Sequence, residues 1–72
     1  MTEFTVIYEQ AADGGWGAYA PDLPGLGVVG ETIEEAEQLI REGIEIYMEE
    51  MKAEGRQMPK ATTRIATVKI PA

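Results

Sequence analysis

Thr32-Ile33-Glu34-Glu35 marks the most secure element boundary in this sequence. A threonine followed three residues later by a glutamate is a capping box. The Thr32 hydroxyl is placed to accept from the Glu35 N–H, and the Glu35 carboxylate to accept from the Thr32 N–H. Glu31, Glu34 and Glu35 also stand at the positive end of the helix dipole. From there Ile33, Ala36, Ile40, Gly43, Ile44, Tyr47 and Met51 recur at helical spacing, and Leu39 and Ile46 widen the stripe. The opposite face reads Glu34, Gln38, Arg41, Glu45, Glu49 and Lys52, and Gly55 is the expected stop. A helix of about 22 residues is about 33 Å long. In a chain of 72 residues such a helix must bury its stripe against whatever the remaining residues build.

What they build reads as strands. Phe4, Val6 and Tyr8 alternate with Thr5, Ile7 and Glu9. Ala12-Asp13-Gly14-Gly15 carries the Asp-Gly hairpin signal, and Trp16 to Ala20 reads as the returning strand. Pro21-Asp22-Leu23-Pro24-Gly25 must break the ladder, because two prolines and a glycine leave too few donors for pairing. Leu26 to Gly30 predicts a short third strand at or near an edge. After the helix, Arg56 to Lys60 is a polar connector. Thr63 to Ile70 then predicts a fourth strand, with Ile65, Ala66, Val68 and Ile70 as its apolar members and Pro71 ending it. The order β-β-β-α-β describes a two-layer α+β sandwich, with the helix on one sheet face. The other face is expected to carry Ile7, Tyr19 and Val29, which alternate with the core positions Val6, Ala18, Ala20 and Val28. Apolar residues on both faces call for a second cover, so Ile7, Tyr19 and Val29 are the expected contacts of a homo-oligomer, a dimer or a tetramer.

Composition narrows the chemistry. The chain has no Cys, His, Ser or Asn. Disulfides, thiolate metal sites and Ser-His or Cys-His nucleophilic catalysis therefore have no residues to use. A domain this small buries only about 60% of its unfolded surface, which again favours oligomerisation as the source of stability. The net charge is −7 and is unevenly spread: residues 31–54 carry nine Glu against Arg41 and Lys52, while residues 55–72 carry Arg56, Lys60, Arg64 and Lys69. An acidic surface repels phosphate backbones and suits a basic protein partner. The basic stretch could contact nucleic acid or meet the acidic helix of a neighbouring subunit, and the second needs fewer assumptions, given the nine Glu of residues 31–54. No apolar run reaches the ~18 residues of a membrane span, and the N-terminus lacks a basic leader, so a cytoplasmic protein without a membrane anchor is expected.

Each apparent site has a structural reading beside it. Asp13, Asp22, Glu31, Glu34 and Glu35 are hard-cation donors by type. Turn and helix-start positions already occupy most of them, so no metal and no cofactor are expected. Gly25, Gly27 and Gly30 match G-x-G-x-x-G in number, but the strand-turn-helix context is missing and acidic residues stand where phosphate would sit. Tyr8, Trp16 and Tyr19 suggest a base-stacking sheet, yet no basic side chain accompanies them in the first forty residues. The Pro21–Gly25 loop is the remaining binding candidate.

The run Ala20-Pro21-Asp22-Leu23-Pro24-Gly25, followed by Gly30-Glu31-Thr32-Ile33-Glu34-Glu35-Ala36, resembles the HicB family. Asp13-Gly14-Gly15-Trp16-Gly17-Ala18-Tyr19 and Gly55 with Met58-Pro59 fit the same pattern, so the resemblance spans nearly the whole chain as one HicB-like domain, 1–72. It implies a partial ribonuclease H arrangement and an antitoxin of the HicA–HicB type. Such a protein is not an enzyme; it binds and blocks a small, basic, mRNA-cleaving HicA toxin. On this reading the partner-binding residues are Pro21, Asp22, Leu23, Pro24 and Gly25 in the loop and Glu34, Glu45 and Glu49 on the helix. Leu26 stands where many members have Cys. Longer members add a DNA-binding domain after this point, so direct operator binding is not expected of these 72 residues. The alternative is an orphan homo-oligomeric module that binds a small ligand or another regulatory protein.

Overall fold

The computed structural model describes residues 2–71. It is a small α+β fold: β1 (Ile7–Gln10), β2 (Trp16–Tyr19) and β3 (Gly27–Gly30) form one antiparallel sheet in the order β1-β2-β3, and α1 (Ile33–Ala53) follows. Hairpin chemistry sets the β1–β2 register. The Asp13 Oδ1 accepts from the Gly15 N–H at 2.9 Å, and the Ala11 N–H donates to the Gly15 carbonyl at 2.8 Å. Tyr8 then faces Ala18, and Ala18 faces Val28, while Ile7 faces Tyr19 and Gly17 faces Val29.

Because strand side chains alternate, this register sorts the two faces. Tyr8, Trp16, Ala18 and Val28 pack under the helix with Ala36 and Ile40, joined by Val6, Leu26 and Ile44. Ile7, Tyr19 and Val29 fall on the opposite face. Two close approaches fix how the helix lies. A Cβ on Gly30 would stand 2.8 Å from the Ala36 nitrogen, and one on Gly43 would stand 2.9 Å from Leu26 Cδ1. The helix start is thus locked against the end of β3 and its middle against the residue before β3. The helix runs back antiparallel over that strand.

The helix ends follow the sequence closely. Thr32 is extended (φ −128°, ψ 162°) and its Oγ1 accepts from the Glu35 N–H at 3.1 Å. The return bond differs from expectation: Glu35 Oε1 accepts from the Glu31 N–H at 2.9 Å, one residue before Thr32. The carboxylate still satisfies a backbone donor ahead of the helix, which is the purpose of the box. At the far end, Gly55 takes φ +68°, its N–H donates to the Lys52 carbonyl, and the Arg56 N–H donates to the Met51 carbonyl. This is a Schellman closure, and the left-handed position accepts glycine without steric cost.

Three expectations need correction. The first strand begins at Ile7 rather than Phe4, because residues 4–6 have no ladder partner. Ile46, assigned to the apolar stripe, is 56% exposed, since the sheet is only three strands wide and does not reach that flank of the helix. The largest correction is the fourth strand. Residues 63–70 form no ladder with any described residue, so the arrangement is β-β-β-α. The segment meets the residues ahead of β1 where the Thr5 hydroxyl donates to the Thr63 carbonyl at 3.3 Å. Beyond that point residues 64–71 are all exposed. The alternating pattern is present, but a strand also needs a neighbour.

Candidate partner-binding surface

The Pro21–Gly25 loop is built around two side chains that point in different directions. Leu23 is 1% exposed. Its N–H donates to the Ala20 carbonyl at 2.9 Å, and its own carbonyl accepts from the Leu26 N–H at 3.2 Å. The loop is therefore two linked turns pinned to the body by a buried leucine. Pro24 and Gly25 form its exposed crest, while Pro21 and Asp22 are half-buried. Leu23 shapes the loop and offers no surface of its own to a partner.

Asp22 holds the far end of the chain. Its Oδ1 accepts from the Thr62 and Thr63 hydroxyls at 3.1 and 2.7 Å, and its Oδ2 accepts from the Thr62 and Thr63 N–H groups at 3.1 and 3.0 Å. The Thr63 N–H, then the Thr63 hydroxyl, hold the Asp22 carboxyl below the ordinary carboxylate range, against a smaller opposing effect of burial. Four donors on one carboxylate make Asp22 the anchor of the segment after the helix. Sequence reasoning missed Thr62 and Thr63. The only signal was a pair of hydroxyl residues with no helix start to cap, and the forty residues between the partners hid the pairing.

Glu34, Glu45 and Glu49 are all exposed and lie on one side of α1. They do not form one cluster. Glu45 and Glu49 are one turn apart, past the point where Gly43 meets Leu26, and so lie toward the loop end of the molecule. Glu34 stands eleven residues earlier, ~16 Å along the axis at 1.5 Å per residue. Ile7, Tyr19 and Val29 do come together, on the face away from the helix; Ile7 is half-buried, Tyr19 is 39% exposed and Val29 is 79% exposed. Gly17 and Gly27 lie between them and keep the face shallow. A separate open groove at the hairpin end is lined by Glu9, Asp13, Trp16, Val29, Glu31 and Glu35.

Asp13, Asp22 and Glu35 all spend carboxylate oxygens on backbone donors. Among the described residues no three acidic side chains are gathered as metal ligands would be, and no helix is long and apolar enough to cross a membrane.

The family model for the HicB-like antitoxin of bacterial toxin–antitoxin systems matches residues 4–71. The chain belongs to the HicB-like antitoxin family. Two relatives from Synechocystis sp. (strain ATCC 27184 / PCC 6803 / Kazusa) agree with this. The UPF0150 protein ssr1765 is 46% identical over 57 residues, covering 79% of this chain and 72% of the relative. The UPF0150 protein ssl0738 is 40% identical over 48 residues, covering 67% of each. No solved structure gives a significant match. HicB-like membership supports an antitoxin role and implies a toxin as the partner.

Proposed function

We propose that this chain is a HicB-like antitoxin that binds and neutralises a small, basic, mRNA-cleaving toxin of the HicA type, with no catalysis of its own. The observation that carries the reading is the acidic, exposed flank of α1 on a chain of this family: nine of thirteen acidic residues lie within residues 31–54. Such a flank draws in a basic partner and raises the encounter rate. Glu45 and Glu49, with the crest Pro24-Gly25, form the contact nearest the loop, and Glu34 extends it along the helix. Pro21, Asp22 and Leu23 set the loop's shape and take part through that crest. The chain acts as one unit in the cytoplasm and self-associates as a dimer or tetramer, with Ile7, Tyr19 and Val29 covered in the assembly. The partial ribonuclease H arrangement implied by the resemblance requires a fourth strand, and residues 63–70 have the sequence to supply it. The test is co-expression of the tagged chain with the product of the adjacent open reading frame. Recovery of a stoichiometric complex with a small basic protein supports the reading; recovery of the chain alone refutes it.

A further inference from the structure

Residues 64–71 have the sequence of a strand and the environment of none. Ile65, Val68 and Ile70 are 68%, 79% and 75% exposed. Thr62, Thr63, Ile65, Thr67, Val68 and Ile70 are β-branched, the residue class that fits a pleated surface. Three apolar side chains this open on one short segment are costly in water unless something covers them. The segment also leaves the molecule elongated. The radius of gyration is 14.2 Å and the longest extent 49 Å, whereas a compact chain of this length has a radius of about 11 Å.

Two further features bear on what covers it. β1 is an edge strand, so one row of its N–H and C=O groups has no partner. The tail departs from Thr63, which is held by Asp22 and by Thr5 two residues ahead of β1, yet it does not pair with the edge of its own chain. From these observations we infer that residues 64–70 add as a strand to the β1 edge of a second copy of this chain, and receive that copy's tail in return.

A second copy covers the open tail and the open β1 edge together. Two tails meet two β1 edges under one two-fold axis, which closes the exchange as a dimer. The charges are complementary: the tail carries Arg64 and Lys69, and β1 and the residues before it carry Glu9 and Glu3. The Asp22 anchor makes Thr62 and Thr63 the fixed point from which each tail departs, so little of the tail must be ordered anew on pairing. The ladder added in this way gives each sheet the fourth strand that the sequence predicts and the single chain lacks. This inference deepens the self-association part of the proposed function and does not depend on the toxin.

The experiment uses the full chain, equal parts isotope-labelled and unlabelled, with nuclear Overhauser contacts filtered for those between copies. Light scattering on the same sample gives the mass. The expected result is twice the 7.9 kDa chain mass, with contacts from the Ile65, Val68 and Ile70 methyl groups to β1 of the other copy. A full-length variant, Ile65→Asp with Val68→Asp, changes only exposed positions of the single chain. It is expected to halve the mass and keep the circular dichroism of the helix. Tail contacts found only within one copy overturn the exchange and place the strand on its own edge. A dimer that survives both substitutions overturns it in favour of the Ile7–Tyr19–Val29 face. A monomer at all concentrations overturns the exchange and the self-association together.

Discussion

Ile40 is the side chain on which helix and sheet most directly depend. It is 2% exposed and sits with Ala18 and Ala36, so it is the only large side chain in the fully buried cluster. Ile40→Ala removes three carbons, which at ~0.8 kcal/mol per buried methylene is a transfer loss of about 2.4 kcal/mol. The cavity adds to that, because the helix is held against β3 on either side of Ile40, at Ala36 and Gly43, and cannot settle inward. The expected total is about 3–4 kcal/mol. A domain of this length has a total stability of about 4–11 kcal/mol, so the variant keeps about 0–1 kcal/mol at the low end of that range and about 7–8 kcal/mol at the high end. Urea unfolding followed by circular dichroism measures the loss, with an unchanged slope showing that the denatured state is not altered. Ile44→Ala is the internal control: the residue is half-buried and the loss is expected to be about half as large. A cost for Ile40→Ala under about 1 kcal/mol, or one smaller than that for Ile44→Ala, would refute this account of the core.

Other positions give sharper local tests. Thr32→Ala removes the acceptor for the Glu35 N–H and is expected to cost about 1 kcal/mol in the same urea titration, with Thr32→Ser largely restoring it. Gly30→Ala forces a Cβ to 2.8 Å from the Ala36 nitrogen, a backbone atom that cannot rotate away, and is expected to destabilise by about 1–3 kcal/mol although φ at Gly30 is not positive. The Asp22 anchor is expected to be acid-sensitive in one direction only. Its carboxyl is held below its ordinary value in the folded chain, so its stabilisation is present at neutral pH and is lost as the pH falls below the ordinary aspartate range. Amide shifts of Thr62 and Thr63 should move over that acid range, and in Asp22→Asn they should not. Glu45→Lys with Glu49→Lys is expected to slow association with a basic toxin roughly tenfold at low salt and to flatten the salt dependence of the rate; an unchanged rate would remove the helix flank from the interface.

How much of this was legible in the sequence depended on how local the cause was. The helix was, because its start and stop are set by neighbours three or four residues away: Thr32 with Glu35, and Gly55 with the last turn. The hairpin was legible for the same reason, since Asp13 closes on Gly15. The two sheet faces followed from alternation once the register was known, and Tyr8, Ala18 and Val28 do lie beneath the helix while Ile7, Tyr19 and Val29 lie outside. Strand boundaries were less legible, because a residue such as Val6 is strand-like by type but joins a ladder only where a partner strand reaches it. The same logic defeats the fourth strand: residues 63–70 alternate correctly, and the chain provides no edge that they use. In the loop after β2, sequence marked Pro21–Gly25 as unusual but not why. The buried Leu23 and the bonds from Asp22 to Thr62 and Thr63 depend on contacts across the fold, which no local pattern encodes.

The central claim is neutralisation by direct binding, and RNA cleavage measures it. The product of the adjacent open reading frame would be purified alone, and its cleavage of a messenger RNA followed as the chain is added. Cleavage is expected to fall to background as the chain reaches stoichiometry with the toxin. Full cleavage in the presence of excess folded chain would contradict the account.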